Sequence, residues 1–302
     1  MRRERGRPSR QPSGRIAYVN GRYLPHTQAA VHIEDRGLQF ADAVYEVWGV
    51  ADGLLFDEDE HFDRLERSLR EIGIAMPMPR PPFRLVLREI LRRNRVRDGL
   101  VYLQITRGSA RRDHPAPNPQ PRPTMILTAR NIDTDALAKR RQQGVAVVTM
   151  TDERWARCDI KSTALLPNIL AKTKARAAGA YEAWLLDREG FVTEGSSTTA
   201  WIVDAKGRLV TRDLSNAILP GVTRRVILQA AAEAQIPVEE RRFTPDEAAS
   251  AREAFLSAAT AAVIPVTSID GKPVGGGGPG KLTRRIQELY AAAARAAAEK
   301  RR

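Results

Sequence analysis

A lysine stands at position 161 between an apolar strand-like run, Val145-Ala146-Val147-Val148, and a segment whose pattern predicts a helix from Pro167 to about Ala178. Both neighbours have the composition of elements that a fold buries. The ammonium beside them must therefore be paired, exposed at a cavity, or partly deprotonated. A free-amine lysine forms Schiff bases with aldehydes. Most lysines finish instead as solvated loop residues, and spacing alone favours that outcome here.

The chain around Lys161 alternates short strand signals with amphipathic helices. Ile16-Ala17-Tyr18-Val19 and Arg22-Tyr23-Leu24 flank Asn20-Gly21, a pair that supplies the positive φ angles of a tight hairpin. A second hairpin follows over Val44 to Val50, Ala51-Asp52-Gly53 and Leu54 to Phe56, and its alternation sets Tyr45 and Val47 on one face and Glu46 and Trp48 on the other. Phe62, Leu65, Leu69 and Ile72 predict a helix behind the acidic start Asp57-Glu58-Asp59-Glu60, with Arg64 beside the apolar stripe. Further on come a helix near 82–94, a strand near 100–108, a long Pro-rich loop over 109–121 holding Arg112 and His114, and a strand over 124–129. A loop of that length is often functional, although a solvated basic surface loop is the simpler reading of its residues.

Beyond Lys161, Glu194 precedes a glycine and four hydroxyl residues. Gly221, Val222 and Thr223 then open a helix, where free backbone N–H groups and a hydroxyl can bind an anion. In isolation the first is also a turn with a polar strand edge, and the second an ordinary helix entry. The run from Ala254 to Val266 reads as strand, turn, strand, and Leu282, Ile286, Leu289 and Tyr290 mark a terminal amphipathic helix.

At 302 residues the chain can bury a large core and divide into two domains. Boundaries are expected at a disordered basic leader over 1–14, a smaller domain over 15–130, a linker over 131–143 and a larger domain over 144–302. The linker carries one helical stretch near 133–141. A single cysteine, Cys158, excludes an internal disulfide and favours a reducing cytoplasm. The net charge of +13 raises nucleic-acid binding as a competing function. Much of that excess lies in the leader and the Lys300-Arg301-Arg302 tip, and the rest carries no helix-turn-helix, zinc-ligand or RNA-recognition signature.

Cys158-Asp159-Ile160-Lys161-Ser162, followed by Leu165-Leu166-Pro167-Asn168, resembles the lysine segment of the fold-type IV pyridoxal-phosphate aminotransferases. Other matching phrases run in family order across roughly residues 15–292. The resemblance implies an α+β fold of two domains, with pyridoxal 5'-phosphate in the cleft between them and no metal. Lys161 is then the Schiff-base lysine, working as general base and then acid. Glu194 would face the pyridinium nitrogen, and Arg64, within Glu60-His61-Phe62-Asp63-Arg64-Leu65, would grip the phosphate with Val222, Thr223 and Thr260. Alanines stand near Thr260 where relatives often carry hydroxyls, so fewer side-chain contacts are expected there. Tyr45 and Val47 would face the cofactor or substrate.

Arg112 and His114, spaced as in the D-amino-acid aminotransferase loop, would capture the substrate carboxylate. The resemblance further implies a homodimer acting on amino acids and 2-oxo acids. Three readings compete: a D-amino-acid aminotransferase using substrates such as D-alanine and 2-oxoglutarate; a branched-chain L-aminotransferase or aminodeoxychorismate lyase of the same fold; and a basic binding protein without enzymatic activity.

Overall fold

The computed structural model describes residues 14–300. The expected leader therefore lies outside the described residues, except for Gly14. Six strands form a first, wholly antiparallel sheet: β1 (Ile16–Val19), β2 (Arg22–Pro25), β3 (Ala43–Ala51), β4 (Leu54–Leu55), β5 (Gly99–Thr106) and β6 (Thr124–Asn131), in the spatial order β2-β1-β6-β5-β3-β4. The first hairpin turns at Asn20 (φ 48°) and Gly21 (φ 91°), as an Asn-Gly pair requires. A short helix, α1 (Arg36–Phe40), precedes β3, and two longer helices, α2 (Glu58–Glu71) and α3 (Arg80–Asn94), follow the β3–β4 hairpin.

Three acidic residues in the first turn of α2 suit the positive end of its dipole. Phe62, Leu65 and Leu69 are buried with Phe83, Leu87 and Ile90 of α3 against the sheet residues Trp48, Val101 and Leu103. Each such side chain contributes about 1.5–3 kcal/mol by leaving water. A second buried stripe on α2, His61, Arg64 and Ser68, is polar. That stripe turns toward the lysine segment.

Helix α4 (Thr134–Gln143) leads into a mixed nine-stranded sheet. Its strands are β7 (Val145–Thr151), β8 (Glu182–Leu186), β9 (Val192–Gly195), β10 (Thr199–Val203), β11 (Leu209–Thr211), β12 (Val238–Glu240), β13 (Glu253–Ala258), β14 (Ala262–Ile269) and β15 (Lys272–Pro273). The order is β12-β11-β10-β13-β14-β7-β8-β9, with β15 beside β14. Helices α5 (Leu166–Ala177), α6 (Val222–Glu233), α7 (Pro245–Ala249) and α8 (Lys281–Glu299) complete the chain. Among the described residues no helix is long and apolar enough to cross a membrane.

Backbone hydrogen bonds join the first sheet to the lysine segment that runs between β7 and α5. Tyr45 N–H donates to the Lys161 carbonyl at 3.0 Å, Thr163 N–H donates to the Ala43 carbonyl at 3.1 Å, and Val44 and Ser162 form an antiparallel bridge. Helix α2 holds the same segment from the other side. Arg67 donates to the Asp159 carbonyl at 2.8 Å and to its carboxylate at 2.6 Å, and the Lys161 N–H reaches Ser68 Oγ at 3.3 Å.

Candidate active site

A cavity of about 270 Å³ opens between the sheets, near the lower end of the size range of small-ligand sites. Eight of the ten residues singled out in the sequence line it: Tyr45, Val47, Arg64, Lys161, Glu194, Val222, Thr223 and Thr260. The alternation of β3 explains the first two. Tyr45 and Val47 face the cavity half-buried, while Glu46 and Trp48 are fully buried on the opposite face. Lys161 Nζ sits 4.2 Å from the centroid of the Tyr45 ring, which stacks in turn on Tyr102 at 5.9 Å.

Glu194, on β9, is 6 % exposed. Its Oε1 accepts hydrogen bonds from Arg154 and from the Leu219 N–H. Burial pushes the Glu194 carboxyl above its ordinary pKa, against the pull of Arg154, Leu219 and Lys161. Sequence reasoning missed Arg154. It also donates to Asp152 at 2.7 Å and to the Ala217 carbonyl at 3.1 Å, so a carboxylate on either side fixes its fork. The sequence signal was the Asp152-x-Arg154 pair, forty positions before Glu194 and without a distinctive spacing.

Arg64 is 8 % exposed, and Glu46 grips its fork through Nε and Nη2, both at 2.8 Å. Its remaining nitrogen, Nη1, reaches the Pro220 carbonyl at 3.2 Å, directly before the start of α6. His61 Nδ1 lies 2.7 Å from Glu46. Neither Glu46 nor His61 was assigned a role from the sequence, although the i, i+3 spacing of His61 and Arg64 places them on one helix face.

Arg112 and His114 do not line this cavity. Both are exposed on the loop after β5. Arg112 stacks over Phe40 at 5.0 Å and the His114 ring lies 5.7 Å from it, while Arg36 donates to the Asp113 and His114 carbonyls. The structure thus brings the lysine, the glutamate and the phosphate candidates together, and leaves the proposed carboxylate trap outside the cavity of its own chain.

The donor set fits pyridoxal phosphate. For the phosphate there are an arginine nitrogen, the free N–H groups at the start of α6 and the Thr223 hydroxyl, buried with no hydrogen-bond partner of ordinary geometry among the described residues. The same cavity is lined by a buried carboxylate, Glu194, which can face a ring N–H, and by Lys161. Gly221 keeps the helix entry close to its neighbours, since a Cβ there would come within 3.0 Å of Thr199 Oγ1.

This arrangement of fold and site defines a class, and residues 43–269 match the family model of class IV amino-transferases. The chain belongs to that family, whose cofactor is pyridoxal 5'-phosphate. It is 43 % identical over 271 residues to the D-alanine aminotransferase of Bacillus licheniformis, covering 89 % of this chain and 93 % of that one. Among solved structures it resembles the branched-chain amino acid aminotransferase of Escherichia coli, with a TM-score of 0.87 at 25 % identity over 92 % of this chain and 94 % of that one. It also resembles the branched-chain enzyme of T.th., crystallised with pyridoxamine 5'-phosphate, with a TM-score of 0.84 at 26 % identity over 94 % and 95 % of the two chains. The fold is the α+β fold-type IV architecture, and the protein is an enzyme.

Proposed function

We propose that this protein is a D-amino-acid transaminase, moving the amino group of a D-amino acid such as D-alanine to a 2-oxo acid such as 2-oxoglutarate. The observation that carries the reading is a single cavity holding Lys161, Glu194 and the Arg64/α6 anion site together. The choice of D-amino acids rests on the 43 % identity to a D-alanine aminotransferase, well above the 25 % shared with the branched-chain enzyme of similar fold.

Pyridoxal phosphate, bound there, supplies a carbonyl for the amine and an electron sink for the α-carbon. Lys161 is the group that takes up the α-proton as a base and then re-delivers it as an acid. Glu194, held by Arg154 and the Leu219 N–H, keeps the ring nitrogen's proton in place. Arg64, Val222, Thr223 and Thr260 hold the phosphate. Tyr45 and Val47 form the wall that substrate meets.

Arg112 and His114 are assigned to the substrate carboxylate. Because they lie outside their own chain's cavity, a second copy must deliver them, which makes the active form a homodimer. A cytoplasmic setting accords with the one free cysteine.

The test is the visible absorbance of the cofactor-loaded protein, followed on adding D-alanine and, separately, L-leucine. Loss of the lysine-bound cofactor band with D-alanine alone is expected. Loss with L-leucine alone would move the substrate to the branched-chain L-amino acids. Lys161→Ala should lack the band entirely, and its survival would remove Lys161 from its role.

A further inference from the structure

Helix α8 lies outside the cavity lining, yet it carries a deeply buried phenol, that of Tyr290, 3 % exposed. Its hydroxyl donates to Asp57 Oδ2 at 3.0 Å across 233 positions of sequence. Asp57 is buried too and forms the N-cap of α2 in a left-handed conformation, φ 52°, two turns before Arg64. On its other side Tyr290 packs with Ile227 of α6 in one core cluster. Burial and the Asp57 charge push the phenol's pKa up, and the neighbouring Thr223 hydroxyl draws it down.

A side chain needed only for packing would be cheaper as phenylalanine, because a buried hydroxyl costs free energy unless it is bonded. The bond made here ties α8 to the N-cap of α2, and α8 packs on α6, so the two elements on which the anion site depends are joined through Tyr290. We propose that Tyr290 is a positioning residue for the cofactor phosphate, tying the helix that carries Arg64 to the helix start that carries Thr223. This rests on the reading of Arg64 and Thr223 as phosphate ligands. Without the bond both ligands remain, but their separation is no longer fixed.

The experiment compares three ligands on cofactor-depleted wild type and Tyr290→Phe: pyridoxal phosphate, inorganic phosphate as its competitor, and pyridoxal, which lacks the phosphate. The Kd values for pyridoxal phosphate and inorganic phosphate should rise about five- to tenfold, the size of one lost hydrogen bond, while that for pyridoxal stays unchanged. Asp57→Asn keeps an acceptor in a backbone conformation that asparagine tolerates, and should retain wild-type affinities. Equal loss for pyridoxal and its phosphate, no loss at all, or loss of the same size in Asp57→Asn would each overturn the proposal. Should Tyr290→Phe fail to fold, Asp57→Ala makes the same three-ligand comparison. A wild type that binds none of the three would instead sink the cofactor reading itself, and the proposal with it.

Discussion

Glu46 is fully buried and holds two nitrogens of Arg64 and one of His61. Burial opposes its charge, and the attraction of Arg64 and His61 outweighs that, holding the carboxyl well below the usual carboxylate range. A carboxylate with a depressed folded pKa contributes stability that is complete above its ordinary value of 4.5 and is lost as pH falls toward the depressed one. Urea unfolding should therefore show stability dropping below about pH 4.5 in the wild type. Glu46→Gln should cost about 3–5 kcal/mol at pH 7, because it leaves the buried Arg64 short of its counter-charge, and should flatten the acid limb. A variant with unchanged acid sensitivity would show that other groups govern it. The same network marks the limit of sequence reading at this scale. Lys161, Glu194 and Arg64 each sit in a phrase whose chemistry can be read locally, whereas Glu46, His61 and Arg154 act only on residues the fold brings to them. Glu46 lies eighteen positions from Arg64, and Arg154 forty from Glu194, with no periodicity to join them.

Strand β3 and the β13–β14 turn meet at Gly49. A Cβ at that position would stand 2.6 Å from the Ala259 carbonyl, a backbone atom one residue before Thr260. Gly49→Ala should therefore displace the turn, costing about 1–3 kcal/mol in urea unfolding and weakening pyridoxal phosphate binding in a spectroscopic titration. Gly276→Ala, where a Cβ meets only open space, is the matched control and should stay within about 0.5 kcal/mol. Wild-type cofactor affinity in Gly49→Ala would mean that the turn has slack. Helices and strands with clear periods were legible in sequence: α2, β3 and the Asn20-Gly21 hairpin stand where their patterns put them. The five-residue α1 was not, because it is shorter than two turns of helix. It is held by its Asp35 cap and by the ion pair of Arg36 with Asp42.

At the scale of the whole molecule, the sequence carried the idea of one cleft served by both halves of the chain, but gave no indication that Arg112 and His114 would stand beyond it. Their exposed position leads to a mixing experiment. Lys161→Ala and Arg112→Ala proteins, each impaired alone, should recover about a quarter of wild-type activity toward D-alanine when co-refolded, since half of randomly paired dimers then hold one intact site. No recovery would assign the carboxylate trap to the lysine's own chain. A last consequence concerns traffic. The Lys161 peptide is a pairing partner of β3, bonded on both sides of Val44. Any movement of the lysine segment away from the first sheet would have to break those backbone bonds, so the lysine keeps its place on the wall that β3 builds while small molecules come and go.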